Sequence, residues 1–219
     1  MIAAASDKGS IVTYPAIPYR RLKTLFLDAG NTVVAMKLSY IVAALKAEGI
    51  QCDPTDLRRA EAAARPAVSA ALPRLRSTET IDAFEFYIRE MLGRVSLTPA
   101  QKAADVDGLA HGMVPLLDRV GRVAFWSAVI PGVPEALAAF RDRGLQLAVV
   151  SNSDGTIEEL LRKVGLRQYF DAVIDSHVIG YEKPDPRIFR HALDVVGARA
   201  NTTLHVGDLY EADVVGARA

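Results

Sequence analysis

Cysteine is almost absent from this sequence, because Cys52 is the single example among 219 residues. One cysteine excludes an intrachain disulfide and a cysteine-based zinc site, and it fits the reducing, cytoplasmic setting that we expect. A long hydrophobic run is lacking as well, since no apolar stretch approaches the roughly 20 residues that a membrane span needs.

An excess of charge of either sign is also missing. Lys and Arg together number 26, Asp and Glu together number 26, and the formal net charge is zero. This balance gives no electrostatic reason to expect nucleic acid or an anionic membrane as a partner. Half of the residues are apolar, which allows a sizeable core. We therefore expect a globular monomer or homodimer whose partner is a small-molecule substrate.

Four short apolar runs have the character of buried parallel strands, because each of them ends in a polar residue. They are Thr24–Asp28, Gln146–Ser151, Asp171–Asp175 and Thr203–Asp208. In the stretch that begins at Pro131, and in the stretches between the last three predicted strands, apolar residues recur at helical spacing. These three stretches end near Gly144, Gly165 and Gly197. This alternation predicts an α/β fold with a Rossmann-like parallel sheet and helices on its faces.

A long insertion separates the first strand from the other three. Between Val33 and Pro131 nothing resembles a β run, and the sequence predicts helices instead. The predicted helices are Leu38–Glu48, Thr55–Leu72 with a kink or break at Pro66, Thr80–Leu92 and Thr98 to about Arg119. We therefore divide the chain into a leader or edge segment (1–22), an α/β core (23–36 and 130–219) and an all-helical insertion (37–129).

One heptapeptide, with the sequence Asp-Val-Val-Gly-Ala-Arg-Ala, occurs at Asp194–Ala200 and again at Asp213–Ala219. Two copies do not make a repeat architecture. We expect each copy to mark a helix that ends at its glycine, which is Gly197 in the first copy and Gly216 in the second.

Polar side chains stand where the predicted strands end. Asp28, Ser151 and Asp208 each close one strand, and Lys183 follows the remaining strand by a short loop. Ligands of open α/β sheets bind outside the carboxyl ends of the strands, so these side chains are expected to meet at one edge. Two carboxylates there need a cation, and hard oxygen ligands indicate Mg²⁺. Ser151, Lys183 and the turn amides after Asp28 would then hold a dianion such as phosphate, with a carboxylate as candidate nucleophile.

The same residues form four motifs that follow one another along the chain. The motifs are Asp28-Ala-Gly-Asn-Thr32, Ser151-Asn152, Lys183 within Glu182-Lys-Pro-Asp185, and Gly207-Asp208 followed by Asp213. With this set, the chain from Leu25 onward resembles the haloacid dehalogenase (HAD) superfamily, in particular its phosphatase-like branch with a small helical cap. Members of this superfamily are mostly magnesium-dependent phosphatases.

The resemblance implies a role for each matching position. Asp28 would attack phosphorus and become an aspartyl phosphate, and Thr32 would orient Asp28 or the adjoining turn. The implied Mg²⁺ ligands are Asp28, the carbonyl of Gly30, Asp208 and Asp213. The implied phosphoryl-binding residues are Ser151, Asn152 and Lys183. The helical insertion would be the cap that closes over the substrate and excludes water.

One position departs from the family pattern, because Gly30 stands where typical phosphatases carry an Asp that acts as general acid and base. Glycine has no proton to give, so protonation of the leaving group must come from elsewhere or be unnecessary. General acid–base help is typically worth about 10² to 10⁴ in rate, so this substitution bears directly on the reaction.

Three alternatives to a phosphatase follow from that departure. A 2-haloacid dehalogenase uses the same nucleophile without a metal, but it would leave Asp208 and Asp213 without a cation. A phosphonoacetaldehyde-type hydrolase needs a Schiff-base lysine, for which the insertion offers Lys37, Lys46 and Lys102. A regulatory or binding protein with weak catalysis is the alternative from another class. The sequence favours a Mg²⁺-dependent phosphatase that acts on a small phosphorylated metabolite.

Other polar and aromatic residues are interpreted as structural. We expect no catalytic part for the four scattered histidines, which are His111, His177, His191 and His205. Trp126 is expected to pack at the end of the insertion rather than to contact substrate. Arg58, Arg59 and Arg65 are expected to form an exposed charged face of one helix.

Overall fold

The computed structural model of the protein describes residues 3–5, 11–13, 17, 19–95 and 105–219, the first two ranges as backbone. The strands are β1 (Ala3–Ala5), β2 (Ile11–Thr13), β3 (Thr24–Leu27), β4 (Val34–Ala35), β5 (Ala128–Val129), β6 (Gln146–Ser151), β7 (Ala172–Asp175) and β8 (Thr203–Val206). The α-helices are α1 (Ser39–Ala47), α2 (Pro54–Leu75), α3 (Ile81–Leu92), α4 (Val106–Val120), α5 (Arg122–Phe125), α6 (Val133–Asp142), α7 (Ile157–Lys163), α8 (Ser176–Ile179), α9 (Pro186–Val196) and α10 (Gly216–Arg218). Among the described residues, no helix has the length and apolar character required to cross a bilayer.

The central sheet has the strand order β7-β6-β3-β8, and all neighbouring strands in it are parallel. Phe26 of β3 lies opposite Ala148 of β6 on one side and opposite His205 of β8 on the other. All four residues of β3 are buried, as expected for a strand that is covered on both faces. These are the four strands that the apolar runs predict, so the prediction of a Rossmann-like α/β fold is confirmed. The prediction that all four strands are buried is wrong for β8, because this strand lies at the edge of the sheet and Val206 is 41% exposed. The carboxyl ends of all four strands point to one edge of the sheet.

Helices cover both faces of this sheet because each of them presents an apolar stripe to it. On one face, Leu137 of α6 and Leu161 of α7 belong to the same core as Leu147 of β6. On the other face, Ile188 of α9 belongs to a second core with Val150 of β6. These five side chains are at most 2% exposed, so the burial of each stabilises the fold by roughly 1.5–3 kcal/mol.

Helices α1 to α5 lie between β4 and β5 and have a core of their own. Its buried members include Ile41, Leu57, Ile88, Leu116 and Phe125, one from each helix. The predicted helices agree with α1, α3 and the end of α4 to within one residue. The start predicted for α4 at residue 98 lies outside the described residues, and the helix is described from residue 106.

Proline does not interrupt α2, which continues past Pro66. Buried residues recur at helical spacing on both sides of this proline, among them Ala60, Ala64 and Val68. Pro66 itself is exposed. Burial of the opposite face therefore outweighs the local cost of proline in a helix, which is about 3 kcal/mol. The predicted break at this position is wrong.

Two very short strands stand at the two ends of the insertion. β4 and β5 pair antiparallel, with Val34 opposite Val129 and Ala35 opposite Ala128. The prediction that this part of the chain is free of β structure is therefore wrong. Strands of two residues are too short to show a period in the sequence, and only the approach of the two chain segments creates them.

The two copies of the heptapeptide adopt different structures. The first copy ends α9 at Gly197, whose φ of 64° is in the left-handed region, as expected. The second copy does not stop at its glycine, because Gly216 has a φ of −60° and begins α10 directly after a π-helical turn (Tyr210–Val215). A Cβ atom at Gly216 would lie 2.8 Å from Cα of Pro184, so close packing accounts for the second glycine. The predicted helix end at Gly216 is wrong.

Candidate active site

The carboxyl edge of the sheet forms one wall of a cavity of about 140 Å³. Of the residues predicted for the site, those that line this cavity are Asp28, Gly30, Ser151, Asn152, Lys183, Asp208 and Asp213. Thr32 is not among the described residues that line it, and the backbone N–H of Thr32 donates to the carbonyl of Ala29 at 3.3 Å. The structure thus brings together all but one of the predicted residues, and it places Thr32 in the turn behind them.

Lys183 bridges two of the carboxylates. Its Nζ atom donates to Oδ1 of Asp28 and to Oδ1 of Asp213, each at 2.7 Å, and the lysine is 3% exposed. Burial alone would lower the pKa of Lys183, but the two carboxylates outweigh this effect and raise it. Lys183 is therefore a fixed positive charge beside the candidate nucleophile.

Asp213 is held by three donors. Oδ1 accepts from Lys183 and from Nε2 of His205 at 2.8 Å, and Oδ2 accepts from the backbone N–H of Leu209 at 2.9 Å. Burial works against ionisation of this carboxyl, but the contacts with His205 and Lys183 prevail and hold the pKa of Asp213 well below its usual range. His205, interpreted from the sequence as a scattered structural residue, thus contacts the site directly.

At the other two carboxyl groups the effect of burial prevails. It raises the pKa of Asp28, although Lys183 opposes the shift. It raises the pKa of Asp208 to about 7, with a further contribution from the negative charge of Asp28 and opposition from Arg65. A group whose charge is disfavoured in this way gains from a nearby cation.

The three carboxylates fit a hard divalent cation. Asp28, Asp208 and Asp213 each offer an oxygen atom, and these atoms lie within 4.8 Å of one another. Oδ1 of Asn31 is buried beside them without a hydrogen-bond partner, whereas its Nδ2 donates to Asp208 at 3.3 Å. Mg²⁺ prefers carboxylate and other oxygen ligands, so this donor set agrees with the predicted metal.

Asn152 is engaged with the backbone of Lys183. Its Oδ1 accepts from the N–H of Lys183 at 2.7 Å, and its Nδ2 donates to the carbonyl of Lys183 at 3.0 Å. The hydroxyl of Ser151 donates to the carbonyl of Asn152 at 3.1 Å. The side chain of Asn152 thus fixes the loop that carries the lysine, a contact that its position after a strand does not reveal.

Gly30 leaves room for a side chain. A Cβ atom there would lie 3.7 Å from Cζ3 of Trp126 and 4.0 Å from Oδ2 of Asp28, which are ordinary van der Waals distances. The left-handed residue of this turn is Asn31, with a φ of 51°, and not Gly30. Trp126 lines the cavity, so its interpretation as packing alone was incomplete.

A ring of polar contacts connects α2 and α3 to the carboxyl edge. Nδ2 of Asn31 donates to the hydroxyl of Tyr87 at 2.9 Å, and this hydroxyl donates to Oε1 of Glu61. Arg65 binds both oxygens of Glu61, at 2.8 and 2.7 Å, and its Nε lies 3.7 Å from Oδ2 of Asp208. Arg65 therefore does not belong to an exposed charged face, in contrast to the prediction, whereas Arg58 and Arg59 are exposed.

A second polar group lies in the cavity wall formed by the loop between α2 and α3. Arg122 donates to the carbonyl of Glu79 at 3.1 Å and lies 3.4 Å from Oε2 of Glu79 and 3.2 Å from Oδ2 of Asp154. Thr78 donates to Oε1 of Glu79 at 3.0 Å. Burial raises the pKa of Glu79 to about 7 against the effects of Thr78 and Arg122. Sequence reasoning missed this group, because no motif marks it.

Comparison with known proteins agrees with this geometry. A family model described as haloacid dehalogenase-like hydrolase matches residues 22–219. The chain belongs to this family. This HAD-like hydrolase is 31% identical over 206 residues to haloacid dehalogenase-like hydrolase domain-containing protein 3 of Bos taurus, which covers 91% of the chain and 79% of the relative. The predicted superfamily and the prediction of a hydrolase are confirmed.

Two further comparisons concern phosphatases. The HAD-like hydrolase is 35% identical over 133 residues to a phosphoglycolate phosphatase (plasmid) of Cupriavidus necator, a match that covers 60% of the chain and 55% of the relative. Its fold matches the crystal structure of a HAD phosphatase from Thermococcus onnurineus with a TM-score of 0.52 at 21% identity, over 90% of the chain and 82% of that structure. At this identity, the structural match concerns the fold alone.

Proposed function

We propose that this HAD-like hydrolase is a Mg²⁺-dependent phosphatase of a small phosphorylated metabolite. The observation that carries the proposal is the contact of Lys183 with Asp28 at 2.7 Å within a buried group of three carboxylates. The ammonium of Lys183 attracts the oxygens of a phosphoryl group to the atom that would attack it. The cavity of about 140 Å³ is suited to a small substrate.

Asp28 is the proposed nucleophile. Its carboxylate would attack phosphorus and form an aspartyl phosphate, which water then hydrolyses. Lys183 and Ser151 would bind the non-bridging oxygens, since both line the cavity next to Asp28. Asn152 would hold the backbone of Lys183 in place, and Asp213 would hold the Nζ atom of Lys183. Thr32 would support the turn that follows Asp28.

Asp28, Asp208 and the carbonyl of Gly30 would hold the Mg²⁺ ion. Three donors, which are Lys183, His205 and a backbone N–H, already contact the carboxylate of Asp213. Asp213 would therefore support the ion only through the lone pairs that these donors leave free. When bound, the ion neutralises the carboxylates and stabilises negative charge on the transferred phosphoryl group.

The helical insertion, residues 37–129, is proposed to act as the cap. Phe84 of α3 and Leu72 of α2 line the cavity opposite the sheet edge, together with Trp126. Such walls exclude water from the reacting group, which strengthens the electrostatic interactions around it. Tyr87 and Arg65 connect the same helices to Asn31 and Asp208.

The contacts weigh against two alternatives. A metal-free 2-haloacid dehalogenase would leave the three clustered carboxylates, whose oxygens lie within 4.8 Å of one another, without a divalent cation. A phosphonoacetaldehyde-type hydrolase needs a lysine from the insertion, but Lys37 and Lys46 are absent from the described residues that line the cavity. Lys102 lies outside the described residues.

Turnover of para-nitrophenyl phosphate and of a panel of phosphorylated metabolites, with Mg²⁺ and with EDTA, tests the proposal. Chloroacetate and phosphonoacetaldehyde belong in the same panel. We expect Mg²⁺-dependent release of phosphate that Asp28→Asn abolishes while the variant still folds. Asp118→Asn is the matched control, because Asp118 is exposed on α4. Chloroacetate turnover that is independent of metal, or Asp28→Asn activity within tenfold of the parent, would contradict the proposal.

A further inference from the structure

A phosphatase with Gly30 in its first motif still has to protonate most leaving groups. An alkyl phosphate releases an alkoxide, which needs a proton as the P–O bond breaks, whereas an activated aryl phosphate leaves without this help. The inference that follows rests on the proposed function. The residue that supplies this proton must belong to the small set of acidic groups that line the cavity.

Most acidic groups of the cavity already have another role. Asp28 is the nucleophile, and Asp208 is assigned to the cation. Lys183 donates to two carboxylates, and Asp213 accepts from three donors. Tyr87 donates its hydroxyl proton to Glu61.

Asp154 and Glu79 are the other carboxyl groups among the described lining residues, and their surroundings differ. Asp154 accepts from the hydroxyl of Thr156 at 2.6 Å and from its N–H at 3.3 Å, and it pairs with Nε of Arg122 at 3.2 Å. Three donors thus already occupy the oxygens of Asp154. Glu79 has the hydroxyl of Thr78 and a longer contact of 3.4 Å to Arg122.

Arg122, the first residue of α5, and Trp126, which directly follows this helix, connect Glu79 to the position that lacks the acid. Trp126 approaches the space beside Gly30 to 3.7 Å, and Arg122, which holds Glu79, precedes Trp126 by four residues. Side chains four apart on a helix are neighbours, with Cβ atoms about 5–6 Å apart. Glu79 and Gly30 therefore line the same cavity, with Glu79 on the side of the insertion.

We infer that Glu79 is the catalytic acid and base that replaces the carboxylate missing at Gly30. As an oxygen of Asp28 forms its bond to phosphorus, the bond from phosphorus to the ester oxygen breaks, and the proton of Glu79 moves to that oxygen. The alcohol leaves neutral, and Glu79 becomes a carboxylate. In the second step this carboxylate takes a proton from the water that attacks the aspartyl phosphate, which releases phosphate and restores both residues.

The charges around Glu79 agree with a group that exchanges a proton near neutral pH. Burial, together with Asp154 after β6 and Glu182 before Lys183, favours its neutral form, whereas Thr78 and Arg122 of α5 favour its ionised form. The net effect raises the pKa of Glu79 to about 7, so the neutral form prevails below this pH. An acid with a pKa near the working pH is well matched to this exchange.

The test compares two substrates, para-nitrophenyl phosphate and glycerol phosphate, in variants of Glu79. Glu79→Gln should lower kcat/KM for glycerol phosphate about 100-fold or more and that for the aryl ester less than about fivefold. Glu79→Asp keeps a carboxyl group and should retain at least about a tenth of the alkyl activity. Glu85→Gln is the control, because Glu85 lies on α3 and pairs with His111 away from the cavity.

The pH profile gives a second readout. In the parent, kcat/KM for glycerol phosphate should fall as the pH rises through about 7, and this limb should be missing in Glu79→Gln. Equal losses on both substrates, or no loss on either, would overturn the role of Glu79 and leave the phosphatase proposal standing. Absence of turnover in the parent and in Glu85→Gln on both esters would overturn the proposed function and this inference with it.

Discussion

The carboxyl group of Asp213 fills the space that a side chain on Gly207 would need. A Cβ atom at position 207 would lie 2.1 Å from Cγ of Asp213 and 2.3 Å from its Oδ2. No real structure contains such distances, so glycine in the fourth motif is explained by the approach of Asp213. The same approach brings Asp213 to Lys183.

Gly207→Ala should therefore displace Asp213 and release Lys183 from one of its two partners. We expect a loss of about 1–3 kcal/mol in the free energy of unfolding, as for overpacked cores, and a loss of activity beyond that. Urea unfolding and kcat/KM measure the two effects. Gly112→Ala is the control, because this exposed helical glycine has nothing within 4 Å and alanine there should stabilise by roughly 0.5–1 kcal/mol. Parent-like activity of Gly207→Ala would contradict the argument.

Asn152→Ala should loosen the loop that carries Lys183. The substitution removes partners from both the N–H and the carbonyl of Lys183, and such a loss costs roughly 1–3 kcal/mol for each buried group left unpaired. We expect weaker inhibition by inorganic phosphate together with lower stability. Asn201→Ala, at an exposed position, should change neither quantity. Unchanged phosphate inhibition in Asn152→Ala would show that Lys183 is held by other contacts.

Gly30→Asp should restore the acid when Glu79 is removed. The position tolerates a side chain, because a Cβ atom there meets only van der Waals contacts and the backbone is not left-handed. In the Glu79→Gln background we expect Gly30→Asp to raise kcat/KM for glycerol phosphate about tenfold or more, with little change for the aryl ester. The ratio of the two constants largely cancels any general loss of stability. No recovery in a folded double variant would contradict our interpretation of position 30.

The stability of the protein should depend on pH through Glu79. Its pKa rises from 4.5 to about 7 on folding, mainly because of burial. Between these two pH values the folded state keeps a proton that the unfolded chain releases, so the free energy of unfolding falls as the pH rises through this window. Urea unfolding from pH 4.5 to 8 should show a shallower decline in Glu79→Gln than in the parent. Equal declines in both would mean that Glu79 does not titrate in this range.

Mg²⁺ should raise the melting temperature, because a ligand that binds only the folded state stabilises it. Asp208→Asn should remove most of this shift, since the amide carries no charge and Asp208 offers one of the three clustered carboxylates. Asp118→Asn should leave the shift intact. An identical shift in all three proteins at millimolar Mg²⁺ would place the ion elsewhere.

The sheet and its edge could be predicted because their signals are local. Each strand of the central sheet is a short apolar run. Asp28 follows β3, Ser151 ends β6, and Asp208 follows β8 after Gly207. Parallel pairing then places these residues at one edge without further information. The same reasoning extends to Lys183, which follows β7 after the short helix α8 and the loop that begins at Gly180.

The part of the site that the helical insertion contributes depends on contacts between residues that are distant in the sequence. Asn31 meets Tyr87, which is 56 residues away, and Arg122 meets Glu79 across 43 residues. No spacing in the sequence indicates such pairs. The heptapeptide makes the same point, because identical residues give an exposed Asp194 in one copy and a buried Asp213 in the other.

The contact of Arg65 with Asp208 makes the charge of the site depend on the position of α2. Three carboxylates at the edge face one ammonium, from Lys183, and one guanidinium, from Arg65. If α2 moved away, Arg65 and its partner Glu61 would leave together, and Asp208 would lose the guanidinium that lies 3.7 Å from it, so that a divalent cation would stabilise its charge instead. Cation binding and outward displacement of α2 would therefore favour each other, and thermodynamic linkage makes this coupling equal in both directions. Ionic strength should then shift the balance between the two arrangements.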